Sequence, residues 1–330
     1  MSKKTETKKI TSIGGSALIE GIMMRGPKKT TVAVRTGEDS IYTEDVEMKF
    51  LGAKKFWKIP FLRGISGMID SMRLSYKCLM LSANKAMEAG EIEEEPSKFE
   101  KWIDEKLGDK FMKILMVFSS VLGVGIAILL FFFLPTWLFN LAGLFIPVIK
   151  DGGEAVVFWQ SVVEGLLKIV IFISYILIVS QLSDMKRVFM YHGAEHKAIF
   201  CYENELELTV ENVKAQRRFH PRCGTSFILL MLLVGIVIGL FIPHAPFGIT
   251  WLRPVIKLAL LPLTMGVGYE LIKFCGKHDN MFTRFIAAPG LWAQRVTTKE
   301  PDESMCEVAI KAIESVIPDD GSDIVKNGCC

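Results

Sequence analysis

The segment Tyr191-His192-Gly193-Ala194-Glu195-His196 holds the side chains of this chain best suited to chemistry. Residues four apart on a helix share a face, so the rings of His192 and His196 can turn toward one ion. Glu195 stands three residues past His192, close enough to take a proton from water that such an ion acidifies. Two histidines do not complete a catalytic zinc site, which typically has three protein ligands and an open position. The stretch Arg218-Phe-His-Pro-Arg-Cys-Gly224, about two dozen residues on, supplies candidates. His220 and Cys223 are spaced like half of a zinc knuckle, and Gly224 permits a tight turn. Three of the five histidines of the chain fall in this one connection. Four ligands, His192, His196, His220 and Cys223, would close a tetrahedral site, whereas three and a water would leave it reactive. The expected cofactor is a divalent transition metal, with zinc the first choice.

Other ionisable groups compete for a role. Glu164, Lys168 and Glu270 fall inside apolar runs, where a charge is costly and by default marks a functional position. Glu164 and Lys168 also read as an i, i+4 ion pair that lowers the cost of insertion. Glu270 is an alternative ligand to His220. The order His-x-x-Glu-His is that of inverted zinc peptidases, which also draw a glutamate ligand from a later helix. Cys275 and His278 have ligand spacing and stand in reserve, and His244 reads as incidental.

These residues need a scaffold, and composition points to a membrane. Half of the 330 residues are hydrophobic, with mean hydropathy +0.34. The apolar excess gathers in four runs, about 111–138, 155–182, 225–242 and 252–274, and about 20 apolar residues cross a bilayer. The fold expected is mainly α: a polytopic helical membrane protein with about four transmembrane helices, a small β-containing N-terminal region and a cytoplasmic C-terminal amphipathic helix. Lys54, Lys55, Lys58, Arg63, Arg73, Lys77 and Lys85 precede the first run. Lys186, Arg187, Lys197, Lys214, Arg217, Arg218 and Arg222 lie between the second and third. The positive-inside rule then puts both termini and the histidine connection in the cytoplasm of a multi-pass cell-membrane protein. Met1 to Lys9 carries no apolar leader, so the first run is expected to act as its own insertion signal. The net charge of +3 is explained by topology, and no nucleic-acid motif is present. The expected partners are the lipid bilayer and a membrane-proximal substrate, with oligomerisation left open. Seven cysteines are scattered, most of them on the expected cytoplasmic, reducing side, which argues against a disulfide framework.

Four regions follow. Residues 1–58 form the cytoplasmic β-containing region, with Thr30 to Arg35 and Ile41 to Met48 as partner strands about a turn at Gly37 to Ser40. The glycine-punctuated Gly14 to Pro27 predicts tight backbone packing without the spacing of a phosphate loop. Residues 59–110 form cytoplasmic or interfacial helices. In the stretch 60–87, Leu62, Ile65, Ile69, Met72, Tyr76, Leu79 and Met80 recur at helical intervals. That basic amphipathic helix lies in the membrane interface or packs on the protein's own cytoplasmic face. An acidic linker and a short polar helix, Ser97 to Asp109, lead to the membrane domain 111–274, which contains the metal-site connection 183–224. In 275–330, Pro289 to Trp292 is expected to break the helix. Thr297-Thr-Lys-Glu300 is expected to cap a last helix, which docks through Met305, Val308, Ala309, Ala312, Ile313 and Val316. A disordered tail follows.

Several blocks together make the chain resemble the bacterial YqhQ-type membrane proteins, a domain of unknown function described as predicted metal-dependent enzymes. They are Gly14-Gly-Ser-Ala-Leu-Ile-Glu-Gly-Ile-Met-Met-Arg-Gly-Pro27, Pro60-Phe-Leu-Arg-Gly64, Tyr191-His-Gly-Ala-Glu-His-Lys197, His220-Pro-Arg-Cys-Gly-Thr-Ser-Phe227, Gly268-Tyr-Glu270 and Gln294-Arg-Val-Thr-Thr-Lys-Glu-Pro-Asp302. Ser16 stands where glutamine is usual. The resemblance implies a polytopic bacterial membrane protein and carries the metal-dependent label onto His192, Glu195, His196, His220 and Cys223. The leading expectation is a hydrolase acting on a membrane-proximal peptide or lipid, with Glu195 as base. The alternatives are an ion or solute transporter using Glu164, Lys168 and Glu270, and a non-catalytic scaffold with a structural metal site.

Overall fold

The computed structural model describes residues 10–324 except 39, 91–113, 116, 147–152, 222 and 278–280. The expected polar helix at 97–109, the terminal cysteines and His278 lie outside the described residues. The chain divides into two units, 1–92 with 175–231 and 265–330, and 93–174 with 232–264.

The first unit is built on an antiparallel meander, β1 (Gly14–Leu18), β2 (Gly21–Arg25), β3 (Thr30–Arg35) and β4 (Ile41–Asp45), in sequence order. The expected β3–β4 pair forms with Val32 opposite Glu44 and Val34 opposite Tyr42. All six residues of β3 are buried, because helices cover both faces of the sheet. Successive side chains of a strand point to opposite faces, and the cores divide accordingly. Ile22, Met24 and Ala33 pack with Tyr191, Ala194, Ala198 and Met305 on one side. Met23, Val32 and Val34 pack with Leu74, Cys78 and Ala86 on the other.

That second group lies on α1 (Leu62–Glu88). Its buried face is Gly64, Ser66, Asp70, Leu74, Cys78, Ser82 and Ala86, small and partly polar. Asp70 is buried because its two carboxylate oxygens accept from the amides of Leu51 and Gly52 at 2.9 and 3.0 Å, capping the short turn Leu51–Ala53.

The apolar helices fall wholly or partly in the second unit. Among the described residues, α2 (Val117–Ala142) and α3 (Glu154–Val179) are long and apolar enough to cross a membrane. The helix carrying the histidine motif, α4 (Ser183–Glu203), and the short α5 (Val210–Lys214) belong to the first unit. The third expected span is α6 (Gly224–Gly239), 16 residues and so shorter than the roughly 20 a straight crossing needs. The fourth is broken into α7 (Leu252–Ala259) and α8 (Leu261–Lys277), bent by 50°. Pro262 lies just past the break, where its missing N–H and its ring stop the ladder from continuing straight. Among the described residues, two helices, or three if the bent pair counts as one span, are long and apolar enough to cross a membrane, against the four expected.

The C-terminal region departs from expectation twice. Helix α9 (Met281–Thr297) runs through Pro289. One proline costs a backbone bond, but buried Ala293, Gln294 and Thr297 hold the following turns in place. The last helix, α10 (Glu303–Glu314), is capped by Asp302, whose carboxylate accepts from the Met305 amide at 2.8 Å. Thr298 instead bonds back to the Gln294 carbonyl at 2.6 Å and closes α9. The docking face of α10 is as expected, since Met305, Val308, Ala309, Ala312, Ile313 and Val316 are all buried.

Candidate functional site: a His-His-Cys cluster

Helix α4 is buried nearly all round from Tyr191 to Cys201, so its motif residues are fixed from several sides. Glu20 sets its start. Glu20 occupies the β1–β2 turn at φ +49°, in the left-handed region. Its carboxylate takes a fork from Arg187, both bonds 2.5 Å, and a bond from the Tyr191 hydroxyl at 3.2 Å. Gly193 sets the next contact. A Cβ there would stand 2.0 Å from the Lys299 carbonyl oxygen, so only glycine lets the 297–301 segment lie this close. That segment also donates from the Lys299 amide to the Phe189 carbonyl at 2.8 Å.

The close approach orients the first histidine. His192 Nδ1 lies 2.8 Å from the Thr297 carbonyl oxygen. A carbonyl only accepts, so Nδ1 carries the proton and Nε2 keeps its lone pair. His192 Nε2 in turn lies 3.2 Å from Cys223 Sγ. His196 is set the same way, with Nδ1 2.5 Å from the Arg218 carbonyl oxygen. Arg218 is itself held by Glu300 at 2.7 Å, and the other oxygen of Glu300 grips buried Lys197 at 2.8 Å. Lys197 of the motif is thus a strut, not a reactive amine.

His192, His196 and Cys223 each offer one ligand atom, all within 4.8 Å of one another. Two ligands of a tetrahedral zinc, one nitrogen and one sulfur, lie roughly 3.6 Å apart, close to the spacing of His192 Nε2 and Cys223 Sγ. His220 stands beside this group rather than in it. Its ring centroid is 5.6 Å from that of His196 and 4.7 Å from that of Phe200. Its Nε2 is 3.7 Å from Glu203 Oε2. Gln294, fully buried, fixes the backbone here by accepting from the His220 amide at 2.8 Å and donating to its carbonyl at 2.7 Å.

Glu195 is buried against β1. A Cβ on Gly15 would come within 2.9 Å of the Glu195 carboxyl carbon, which explains the glycine, and the Gly15 backbone bonds to that carboxylate. Among the described residues, Glu195 Oε2 is buried with no hydrogen-bond partner. Burial pushes the carboxyl up to about 7, against smaller opposing effects of His192 and Gly15.

The intramembrane candidates are placed elsewhere. Glu270 receives a two-bond fork from Arg63, with Nε at 2.6 Å, and is not in the His-His-Cys group. Glu164 does not take Lys168 as its partner. It pairs with Lys257 and, at 3.5 Å, with Arg253, and it accepts from Thr136 and Gln160 at 2.9 Å each. Lys168 lies over the Phe132 ring at 5.0 Å. The cations sit on α7, 93 residues away for Lys257, so spacing along α3 could not reveal them. His244 is engaged too, its Nδ1 2.8 Å from Gln160 Oε1. Sequence reasoning also missed Glu20, Gln294 and Glu300. Their signal was membership of the motif blocks without an obvious chemical task.

Residues 59–319 match the family described as "Protein of unknown function (DUF1385)". The chain belongs to this family. It is 34% identical over 308 residues, 92% of either chain, to "Uncharacterized protein YqhQ" of Bacillus subtilis (strain 168). No solved structure matches it. The resemblance carried by the motif blocks therefore holds for the family.

Proposed function

We propose that this chain is a membrane metal-dependent hydrolase, with its ion held by His192, His196 and Cys223 and with Glu195 as general base. The observation that carries the reading is a conjunction. Three ligand atoms converge, both imidazoles are oriented by carbonyls behind them, and an orphaned carboxylate oxygen belongs to the residue between them in the motif. The donor set of two imidazoles and a thiol suits zinc. An ion held there supplies Lewis acidity and makes water acidic enough to ionise near neutral pH. Glu195 Oε2, having no other partner, is the atom that would take that proton and return it to the leaving group. Thr297 and Arg218 hold the imidazoles still while charge changes in the site. The basic connection 183–224 favours the cytoplasmic side, which makes a membrane-proximal peptide or lipid the substrate class.

His220 supports a second reading. Its ring is near enough to His196 that a modest rearrangement would add a fourth ligand and close a purely structural site. Cobalt substitution separates the two. In the full chain, Co²⁺ should give a thiolate charge-transfer band that Cys223→Ser removes. Azide should then shift the cobalt spectrum if a position is open. A spectrum indifferent to azide, and altered by His220→Ala, would establish the closed site and end the hydrolase reading. Glu164 and Glu270 already face their own cations, so the transporter reading rests on sequence alone.

A further inference from the structure

Helix α1 is built inside out. Its protein-facing side is the small and polar row from Gly64 to Ala86. The opposite side carries Ile69, Met72, Tyr76, Leu79, Met80 and Met87, all exposed. Met72 and Tyr76 are 63% and 68% exposed, matching Val117 and Val121 of the membrane helix α2 at 64% and 65%. These residues recur at three- and four-residue steps, so they form one stripe along the helix. One face thus packs on the protein itself, as one of the two expectations for this segment has it, and the other face is left exposed.

Two further observations say what covers the stripe. The first is charge. From Leu51 to the end of α1 at Glu88 the chain has seven basic residues, Lys54, Lys55, Lys58, Arg63, Arg73, Lys77 and Lys85, and two acidic residues, Asp70 and Glu88, the latter paired with Lys85 at 2.7 Å. Asp70 is buried under the capped turn, and Arg63 is taken by Glu270. The surface beside the stripe is therefore basic, with Lys54, Lys55, Lys58 and Arg73 exposed. Aromatic side chains lie among them, Phe56 and Phe61 exposed and Trp57 half-buried, the composition of a headgroup-level belt. The second observation is attachment. A Cβ on Gly266 would sit 3.0 Å from Phe61, and one on Gly64 would sit 2.8 Å from Tyr269. With the Arg63–Glu270 fork, these contacts lock the start of α1 onto α8, the second half of the bent apolar pair.

We propose that α1 lies in the interface of an anionic bilayer, with its Met72–Tyr76–Leu79 stripe among the upper acyl chains and its basic flank among the headgroups. An apolar stripe beside Lys and Arg is the pattern of an in-plane helix, and each basic residue near an anionic surface strengthens the attachment. Such a helix holds the β-sheet unit, and the histidine helix packed on its far face, at a fixed depth. The assignment does not depend on the metal centre.

Photo-crosslinking of the full chain tests it. p-Benzoylphenylalanine is placed at Met72, Tyr76 or Leu79, and at Glu314 as an exposed control. The protein is put into nanodiscs of mixed phosphatidylcholine and phosphatidylglycerol, irradiated, and its adducts are weighed by mass spectrometry. Lipid adducts are expected at the three stripe positions, several-fold above Glu314, with phosphatidylglycerol over-represented relative to its share. Changing Lys54, Lys55, Lys58 and Arg73 to Gln should remove that enrichment. These positions are exposed, so folding is retained, and an unchanged circular-dichroism spectrum verifies it. Adducts joining two protein chains, absence of lipid adducts, or adducts that mirror the lipid mixture would overturn the proposal.

Discussion

At Glu164 a buried carboxylate meets two cations, a hydroxyl and an amide; at Glu195 a buried carboxylate meets one backbone amide and leaves an oxygen bare. Both groups are withdrawn from water and both sit in helices. The first has been compensated, because a charge in a low-dielectric surrounding is otherwise too costly to keep. The second, in the same motif as two of the three convergent ligand atoms, has been left with spare capacity. Titratable side chains inside a protein therefore divide by satisfaction rather than by burial. A carboxylate whose oxygens are both partnered ties helices together, and one with a bare oxygen keeps the capacity to accept a further bond.

The sharpest break between the two clusters is expected in metal content. His192→Ala or Cys223→Ser should lower metal affinity by more than ~100-fold, read by elemental analysis of purified protein after dialysis. Lys257→Met should leave it unchanged, and a shared loss would erase the distinction. The second effect is on stability. Glu164→Ala strands Arg253 and Lys257 without their anion, at a cost of about 3–5 kcal/mol, followed by thermal unfolding in detergent. The double change Glu164→Leu with Lys257→Met should recover much of that loss, whereas full additivity would mean that the two residues are not a pair.

The third effect is a pH dependence. Burial raises the Glu195 carboxyl from 4.5 to about 7, so the folded, metal-free protein keeps a proton that the unfolded chain has released. Stability must then fall as pH rises from about 4.5 to about 7 and stay low above it. Glu195→Gln removes that slope. Metal-free Glu195→Gln is expected to exceed wild type by up to ~3 kcal/mol above neutrality and to match it in acid. A difference independent of pH would show that the carboxyl is not held protonated by its surroundings. The smallest effect concerns support. Gly193→Ala pushes the Lys299 carbonyl away at about 1–3 kcal/mol, and the displaced Thr297 carbonyl should weaken metal binding measurably. Retained affinity would mean that the orientation of His192 does not come from Thr297.

Local patterns were legible in the chain and long-range pairs were not. The alternation of Thr30 to Arg35 gave β3 because a strand's faces repeat every two residues. The apolar row of α10 gave its docking face because a helix repeats near 3.6. His192, His196, His220 and Cys223 could be proposed together because few residue types bind a soft ion. Spacing could not separate Cys223 from His220, since which of them reaches the histidines depends on Gln294 and on the path of the 218–224 backbone. Nor could it find Arg187 for Glu20, or Lys257 for Glu164, at separations of 167 and 93 residues. Pro289 was misleading for a related reason. A proline's local cost is readable, but the packing that outweighs it is not.

The bond from His192 to the Thr297 carbonyl spans 105 residues, and that length has a consequence for biosynthesis. The helix bearing both histidines leaves the ribosome well before the segment that orients its first ring. Everything between, including α6, α7 and α8, is made in the interval. Until Thr297 and then α10 arrive, His192 has no carbonyl behind it and the sheet lacks part of its cover. The cluster is thus completed late in synthesis, and a nascent chain that ends among the apolar helices carries its first histidine without the carbonyl that orients it.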